Sequence, residues 1–181
     1  FSWSQANVLR GLHYQLSRPQ GKLVMVVEGR VFDVAVDIRT GSPTFGQWYG
    51  VELSAENGRQ LYIPPGYAHG FYVLSERAGF MYRCTDYYNP VDERGIRWDD
   101  PQLAIHWPST TPLVSQKDQD YRPLAEMQAE GRATEEIFDG PALESGFIEK
   151  ADIDGSGLVR VVRVSDLLNR LMEIDGVIAV R

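Results

Sequence analysis

The sequence is short of several things, and each shortage removes a class of protein. Its one cysteine is Cys84, which allows neither an internal disulfide nor a cysteine-rich zinc site. No uninterrupted run comes near the roughly 18 apolar residues that a membrane span needs. Positive charge is not in excess: 18 Lys and Arg stand against 25 Asp and Glu, a net of −7. Binding to a phosphate backbone needs surplus Lys and Arg, so the balance argues against a general DNA or RNA binder. No signal peptide opens the chain, which starts at Phe1 without Met. What is present suffices for folding. At 181 residues with 43% hydrophobic content, one domain with an appendage buries about two-thirds of its unfolded surface without covalent staples.

The composition divides near Leu124. Residues 1–124 carry a net charge of −1, and residues 125–181 carry −6. All three His, all four Trp and all nine Tyr lie in the first part. The sequence therefore predicts a first domain over 1–124, an acidic connector with helical potential over 125–140, and a small tail over 141–181. No internal repeat or low-complexity segment is visible.

The first part reads as all-β. Lys22–Val27 is an apolar run stopped by Glu28-Gly29. Val31–Asp37 alternates, with Val31, Asp33, Ala35 and Asp37 on one face and Phe32, Val34, Val36 and Ile38 on the other. Gly46–Leu53, Gln60–Ile63, Gly70–Leu74 and Gly79–Thr85 follow at intervals of about ten residues, the spacing of a sandwich or barrel. The tail reads as a strand over Leu158–Val164, a helix over Asp166–Ile174 capped by Ser165, and a strand over Val177–Val180. Leu167, Leu168, Leu171 and Met172 stripe that helix at helical spacing. Such a β-α-β piece is too small to bury a core of its own.

Polar groups that interrupt the strand pattern are the candidates for chemistry. Arg10 and His13 stand close together near a strand, Lys22 starts the next one, and His69 follows the turn Pro64-Pro65-Gly66. Tyr82 and Arg83 lie in an apolar strand, and Lys117-Asp118 ends the first part. Taken singly, each has a bland reading: a strand Tyr belongs to a core or rim, a lone His is structural, a Lys-Asp pair is solvated. A metal site of the jelly-roll kind needs clustered His near His13, but position 15 is Gln, and His106 has no ligand partner at short spacing. Cys84 reads as a buried, inert thiol in an apolar strand. No G-x-S-x-G elbow or phosphate-cradling glycine loop occurs. Proton chemistry remains: a His base, a carboxylate to orient it, a Tyr acid, and cations for an oxyanion or phosphate.

Longer stretches carry a resemblance. Asn7–Gln15 (NVLRGLHYQ), Val31–Arg39 (VFDVAVDIR), Ser42–Gly46 (SPTFG), Leu53–Asn57, Gly66–Phe71 (GYAHGF), Tyr82–Tyr88 (YRCTDYY), Ile96–Pro101 and Ser115–Asp118 (SQKD) resemble the dTDP-4-dehydrorhamnose 3,5-epimerases, in order and at compatible spacing. The resemblance implies a cupin-type jelly roll, a cytoplasmic homodimer, and catalysis without metal or organic cofactor. The implied reaction inverts C3 and C5 of a dTDP-4-keto-6-deoxyhexose on the route to dTDP-L-rhamnose. It makes His13 the base, Asp118 the carboxylate that fixes its tautomer, Tyr82 the acid and Lys22 the cation beside the C4 oxygen. Arg10, His69, Arg59, Tyr88 and Lys117 are the implied substrate-binding residues, with Tyr87 as an alternative to Tyr88 at the nucleotide. It also implies a segment ahead of Phe1 that includes a strand exchanged between subunits. A related 3- or 5-epimerase of another dTDP-keto sugar fits the same residues.

The tail resembles something else. Glu130–Leu143, Gly146–Ile148, Val164–Leu168 and Ile174–Val177 are similar to a segment of baseplate proteins of contractile phage-like injection systems. That likeness brings a reading of another class, in which the jelly roll is a non-catalytic module of a baseplate-like assembly.

Overall fold

The computed structural model describes residues 1–129. Apolar residues recurring at every second position, broken by Gly, Pro, Asn and Ser, become strands there. These are β1 (Ser2–Gln5), β2 (Val8–Gln15), β3 (Lys22–Glu28), β4 (Arg30–Asp37), β5 (Trp48–Ser54), β6 (Gln60–Ile63), β7 (Tyr67–Val73), β8 (Arg77–Cys84), β9 (Glu93–Gly95) and β10 (Leu113–Val114). Two short helices follow, α1 (Gln116–Gln119) and α2 (Leu124–Ala129). The six expected runs from Lys22 onward are β3 to β8, with β6 matching at both ends and the others differing by one to three residues at an end. β1, β9 and β10 have no counterpart in the alternation, because two to four residues carry too little pattern.

The strands form two sheets. One has the order β1-β8-β3-β6; the other has β10-β2-β7-β4-β5, with β9 also paired to β2. β3 and β4 belong to different sheets, yet only Gly29 separates them. At φ +73°, Gly29 turns the chain from one layer to the other, and a Cβ there would collide with the Arg77 carbonyl oxygen.

The two layers face each other across an apolar core. Val24, Val26, Ile63, Ala78 and Phe80 come from the four-stranded sheet, and Val31, Ala35, Leu53, Phe71 and Val73 from the larger one. The larger sheet is covered on its other face too. Leu12, Tyr14, Val34, Val36 and Ala68 pack there against Ile38, Ile96, Leu103 and Leu124. Hence both faces of β4 are buried, with Val31 and Val34 alike at 0% exposure. Antiparallel sheets commonly leave one face wet. Here the segment after β9 closes it.

The VFDVAVDIR and SPTFG stretches turn out to brace this fold. Asp37 and Arg39, both buried, make a bidentate pair at 2.9 and 2.8 Å. The hydroxyls of Ser42 and Thr44 donate to the same carboxylate at 2.6 Å each. Burial alone would raise the Asp37 pKa, but these hydrogen bonds outweigh it and hold the carboxyl at about 2.

Leu124 belongs to this body. It is fully buried, and its N–H donates to Asp100 Oδ2 at 2.6 Å. The first residues of the expected connector, up to Ala129, lie in α2. The rest of that connector and the tail elements over Leu158–Val164, Asp166–Ile174 and Val177–Val180 lie outside the described residues.

Candidate active site

Along their inward faces, three strands change from apolar to polar toward one end of the sandwich. β7 runs Val73, Phe71, His69; β3 runs Val26, Val24, Lys22; β8 runs Ala78, Phe80, Tyr82, Cys84. Their polar ends line a cavity of about 410 Å³ together with Arg10, His13, Tyr88, Glu93 and Lys117. Phe71 and Phe80 stack at 4.3 Å and make its apolar wall.

Arg10 and His13 both line the cavity although three positions apart on a strand, where a two-residue period would put them on opposite faces. The pairing of β2 with β7 shifts register between them, and that irregularity re-aims His13. β2 and β7 also approach very closely there. A Cβ on Gly11, at φ +126°, would sit 2.6 Å from Gly70 Cα, and one on Gly70 would sit 2.8 Å from the Arg10 carbonyl oxygen.

The outer edge of β2 is shared. β10 pairs with Val8 and Leu9, and β9 pairs with His13 to Gln15. In the interval, Asp118 takes the place of a strand: its Oδ2 accepts the Gly11 N–H at 3.2 Å. Its Oδ1 is 2.7 Å from Nε2 of His13. Asp118 itself is fixed by α1, where the hydroxyl of N-cap Ser115 accepts the Asp118 N–H at 3.1 Å. Burial would raise the Asp118 pKa, but the hydrogen bond and charge of His13, the Gly11 N–H and Lys117 bring it below the ordinary value. A carboxylate on Nε2 holds the proton there, so Nδ1 keeps its lone pair.

His69 has a partner of its own. Its Nε2 lies 3.1 and 3.0 Å from the two oxygens of buried Asp33, and its ring stacks on Phe80 at 5.9 Å. On the opposite sheet, burial lowers the Lys22 pKa despite the nearby Cys84, Glu93 and Asp33. Tyr82, two positions beyond Phe80, is 44% exposed. Cys84 corrects the sequence reading. It is exposed at the end of β8, pairs with Lys22 in the register and lines the cavity. Partial desolvation pushes its thiol pKa up, with Lys22 opposing.

One carboxylate of the cavity lining gathers two donors. Glu93 Oε2 accepts from Lys117 Nζ at 2.6 Å and from the Tyr88 hydroxyl. Burial raises the Glu93 pKa, but these bonds and the charge of His13 outweigh it, and the net shift is downward. Tyr121 presents a ring edge to His13 at 5.8 Å between centroids, and its buried hydroxyl has no hydrogen-bond partner among the described residues. Burial, with the charges of Glu93 and Asp118, drives its pKa far up.

Of the residues singled out in the sequence, His13, Lys22, Tyr82, Arg10, His69, Tyr88 and Lys117 line this one cavity, and Asp118 bonds His13 from behind. Arg59 is not brought there. It is exposed on the β5–β6 connection, where Asn57 Oδ1 accepts its N–H at 3.0 Å. That turn, closed by Ser54 and Asn57, holds it away from the cavity. Tyr87, at 90% exposure, is also outside. The sequence reading missed Glu93, Asp33 and Tyr121. Asp33 had a signal, a carboxylate inside an otherwise apolar strand. Glu93, in the polar stretch Val91–Gly95, had none.

Comparison with known proteins identifies the family. A sequence model of the family described as dTDP-4-dehydrorhamnose 3,5-epimerase matches residues 1–126. The epimerase of Pseudomonas aeruginosa is 58% identical over 126 residues, covering 69% of this chain and 70% of that protein. The one from Shigella flexneri is 60% identical over 118 residues, covering 65% of each, so the chain spans about two-thirds of the length of such relatives. A dTDP-4-dehydrorhamnose 3-epimerase of Streptomyces niveus is 44% identical over 131 residues, 72% of this chain and 63% of its own. Among solved structures, dTDP-6-deoxy-D-glucose-3,5-epimerase of Legionella pneumophila in complex with dTDP-4-keto-L-rhamnose superposes with a TM-score of 0.72 at 56% identity, over 78% of this chain and 73% of that one. A second family, baseplate wedge Pvc12-like domain 3, matches residues 103–181, less than half of the chain. With the two-sheet jelly roll in view and the first family matching more than two-thirds of its length, the chain belongs to the dTDP-4-dehydrorhamnose 3,5-epimerase family of isomerases.

Proposed function

We propose that this cavity inverts C3 and C5 of dTDP-4-dehydro-6-deoxy-D-glucose to give dTDP-4-dehydro-L-rhamnose, by proton transfer and without a metal or organic cofactor. The observation that carries the reading is the division of labour between the sheets. His13, backed by Asp118 at 2.7 Å, stands on the larger sheet, while Tyr82 and Lys22 stand on the smaller one, around one cavity. Inversion at carbon needs a base on one face of the sugar and an acid on the other.

The C4 ketone acidifies the protons on C3 and C5. Nδ1 of His13 takes one; the electron pair of the broken C–H bond passes into an enolate, and its charge collects on the C4 oxygen. Lys22, drawn out of water, supplies the opposing charge where it acts strongly. The Tyr82 phenol returns a proton from the opposite wall. A positioned acid or base contributes about 10²–10⁴-fold each. Arg10 and His69 hold sugar or diphosphate oxygens, Lys117 meets phosphate, and Tyr88 meets the nucleotide. The dTDP-4-keto-L-rhamnose bound by the Legionella relative supports this substrate class.

The family resemblance supports a homodimer, and a nucleotide-activated sugar as substrate supports the cytoplasm as its place of work. Exposed Phe1, Trp3 and Val27 around the smaller sheet are apolar surface that a second copy would cover. The Streptomyces niveus relative favours, as second reading, a 3-epimerase that inverts one centre. The match of residues 103–181 keeps the baseplate-module reading in play. Incubating the chain with the keto sugar in D2O and following it by NMR decides among them. Deuterium at both C3 and C5 supports the 3,5-epimerase, deuterium at C3 alone the 3-epimerase, and no uptake with no dTDP binding the module.

A further inference from the structure

Glu93 has no part in the mechanism above, and it is an odd neighbour for a nucleotide diphosphate. A carboxylate repels an anionic ligand, and burying its charge is costly unless partners offset it. Its side chain is only 9% exposed. Two donors fix it, Lys117 at 2.6 Å and the Tyr88 hydroxyl, and both use the same oxygen, Oε2. The other oxygen, Oε1, lies 4.0 Å from Nδ1 of His13. On the far side of that ring, Asp118 holds Nε2 at 2.7 Å. The imidazole thus stands between two carboxylates, one in hydrogen-bond contact and one just beyond it.

That spacing has a chemical meaning. While His13 is neutral, Nδ1 carries a lone pair, and Glu93 gives it neither proton nor bond. Once Nδ1 has taken a carbon-bound proton, the ring is a cation and, among the described residues, Oε1 is the anion that faces it on that side. Its attraction therefore grows only as the imidazolium and enolate form, which is the condition for lowering a barrier rather than tightening the ground state. We propose that Glu93 is a positioning residue of the proton-transfer step, stabilising the imidazolium of His13 from the side opposite Asp118 while Tyr88 and Lys117 hold it in place. The inference rests on the reading of His13 as the base.

Glu93→Gln keeps the shape and removes the charge; Glu93→Asp keeps the charge. Deuterium uptake by the dTDP-keto sugar at saturating concentration gives the rate, and calorimetry with dTDP alone gives the binding. For Glu93→Gln the saturated exchange rate should fall about tenfold or more, with the dTDP Kd within about threefold, and Glu93→Asp should recover most of the rate. Unchanged exchange in Glu93→Gln overturns the inference, as does a loss of rate matched by an equal loss of dTDP binding. An unsubstituted chain that takes up no deuterium overturns the proposed function itself, and this inference with it.

Discussion

His13 and His69 are cross-strand neighbours on β2 and β7, and each has a carboxylate on Nε2. Their surroundings set them apart. His69 sits on a buried aspartate between both of its oxygens, against the aromatic wall of Phe71 and Phe80. His13 touches a single oxygen of Asp118, its side chain is 28% exposed, and its second nitrogen lies on the cavity side near Glu93. A histidine–aspartate pair does not by itself make a base. The carboxylate fixes the tautomer in both; what sets His13 apart is the more open ring, 28% exposed against 10% for His69.

The largest expected effect tests that contrast directly. His13→Ala should lower deuterium exchange at C3 and C5 together by about 10²–10⁴-fold, measured by NMR in D2O. Exchange at the wild-type rate would remove the base from its post. Next comes the opposite wall. Tyr82→Phe should keep part of the exchange and lose about 10²-fold or more in epimerised product, since removal of a proton survives and its return from the other face does not. The ratio of exchanged substrate to product measures it. Asp33→Ala should act on stability first. It strands the His69 nitrogen in the interior at about 1–3 kcal/mol, read as a lowered midpoint in urea. If it instead left the midpoint unchanged and abolished exchange, the two pairs would have to trade roles.

The smallest effect lies away from the cavity. Asp37 has a folded-state pKa of about 2 against a reference of 3.8, so its network stabilises the protein above the reference value. That contribution, about 2 kcal/mol, is lost as pH falls from about 4 through about 2. Asp37→Asn should flatten the stability–pH curve across that window and leave proton exchange at neutral pH unchanged.

The fold was legible where pattern is long. β4 alternates over eight residues, β3 and β8 hold apolar runs within seven or eight, and β6 is bounded by a Pro/Gly turn. β2 was harder, since Gly11 and a register shift break its period. That β4 is buried on both faces could not be read locally, because the cover comes from Ile96 to Leu124. The site shows the same limit. Lys117-Asp118 looks like any solvated pair, and only a contact across 105 positions makes Asp118 the partner of His13. Arg59 has suitable chemistry, but a turn closed by Asn57 directs it elsewhere. Glu93 matters through where Lys117 and Tyr88 lie, which no nearby residue announces.

The gap in the edge of β2 has a consequence for biosynthesis. The imidazole leaves the ribosome with its strand, but the carboxylate that plugs the gap is made 105 residues later. Until α1 arrives, the Gly11 amide and the His13 Nε2 lack the carboxylate that holds them in the finished fold. On the proposed mechanism, a single side chain made late in synthesis is what sets the orientation of a ring made early.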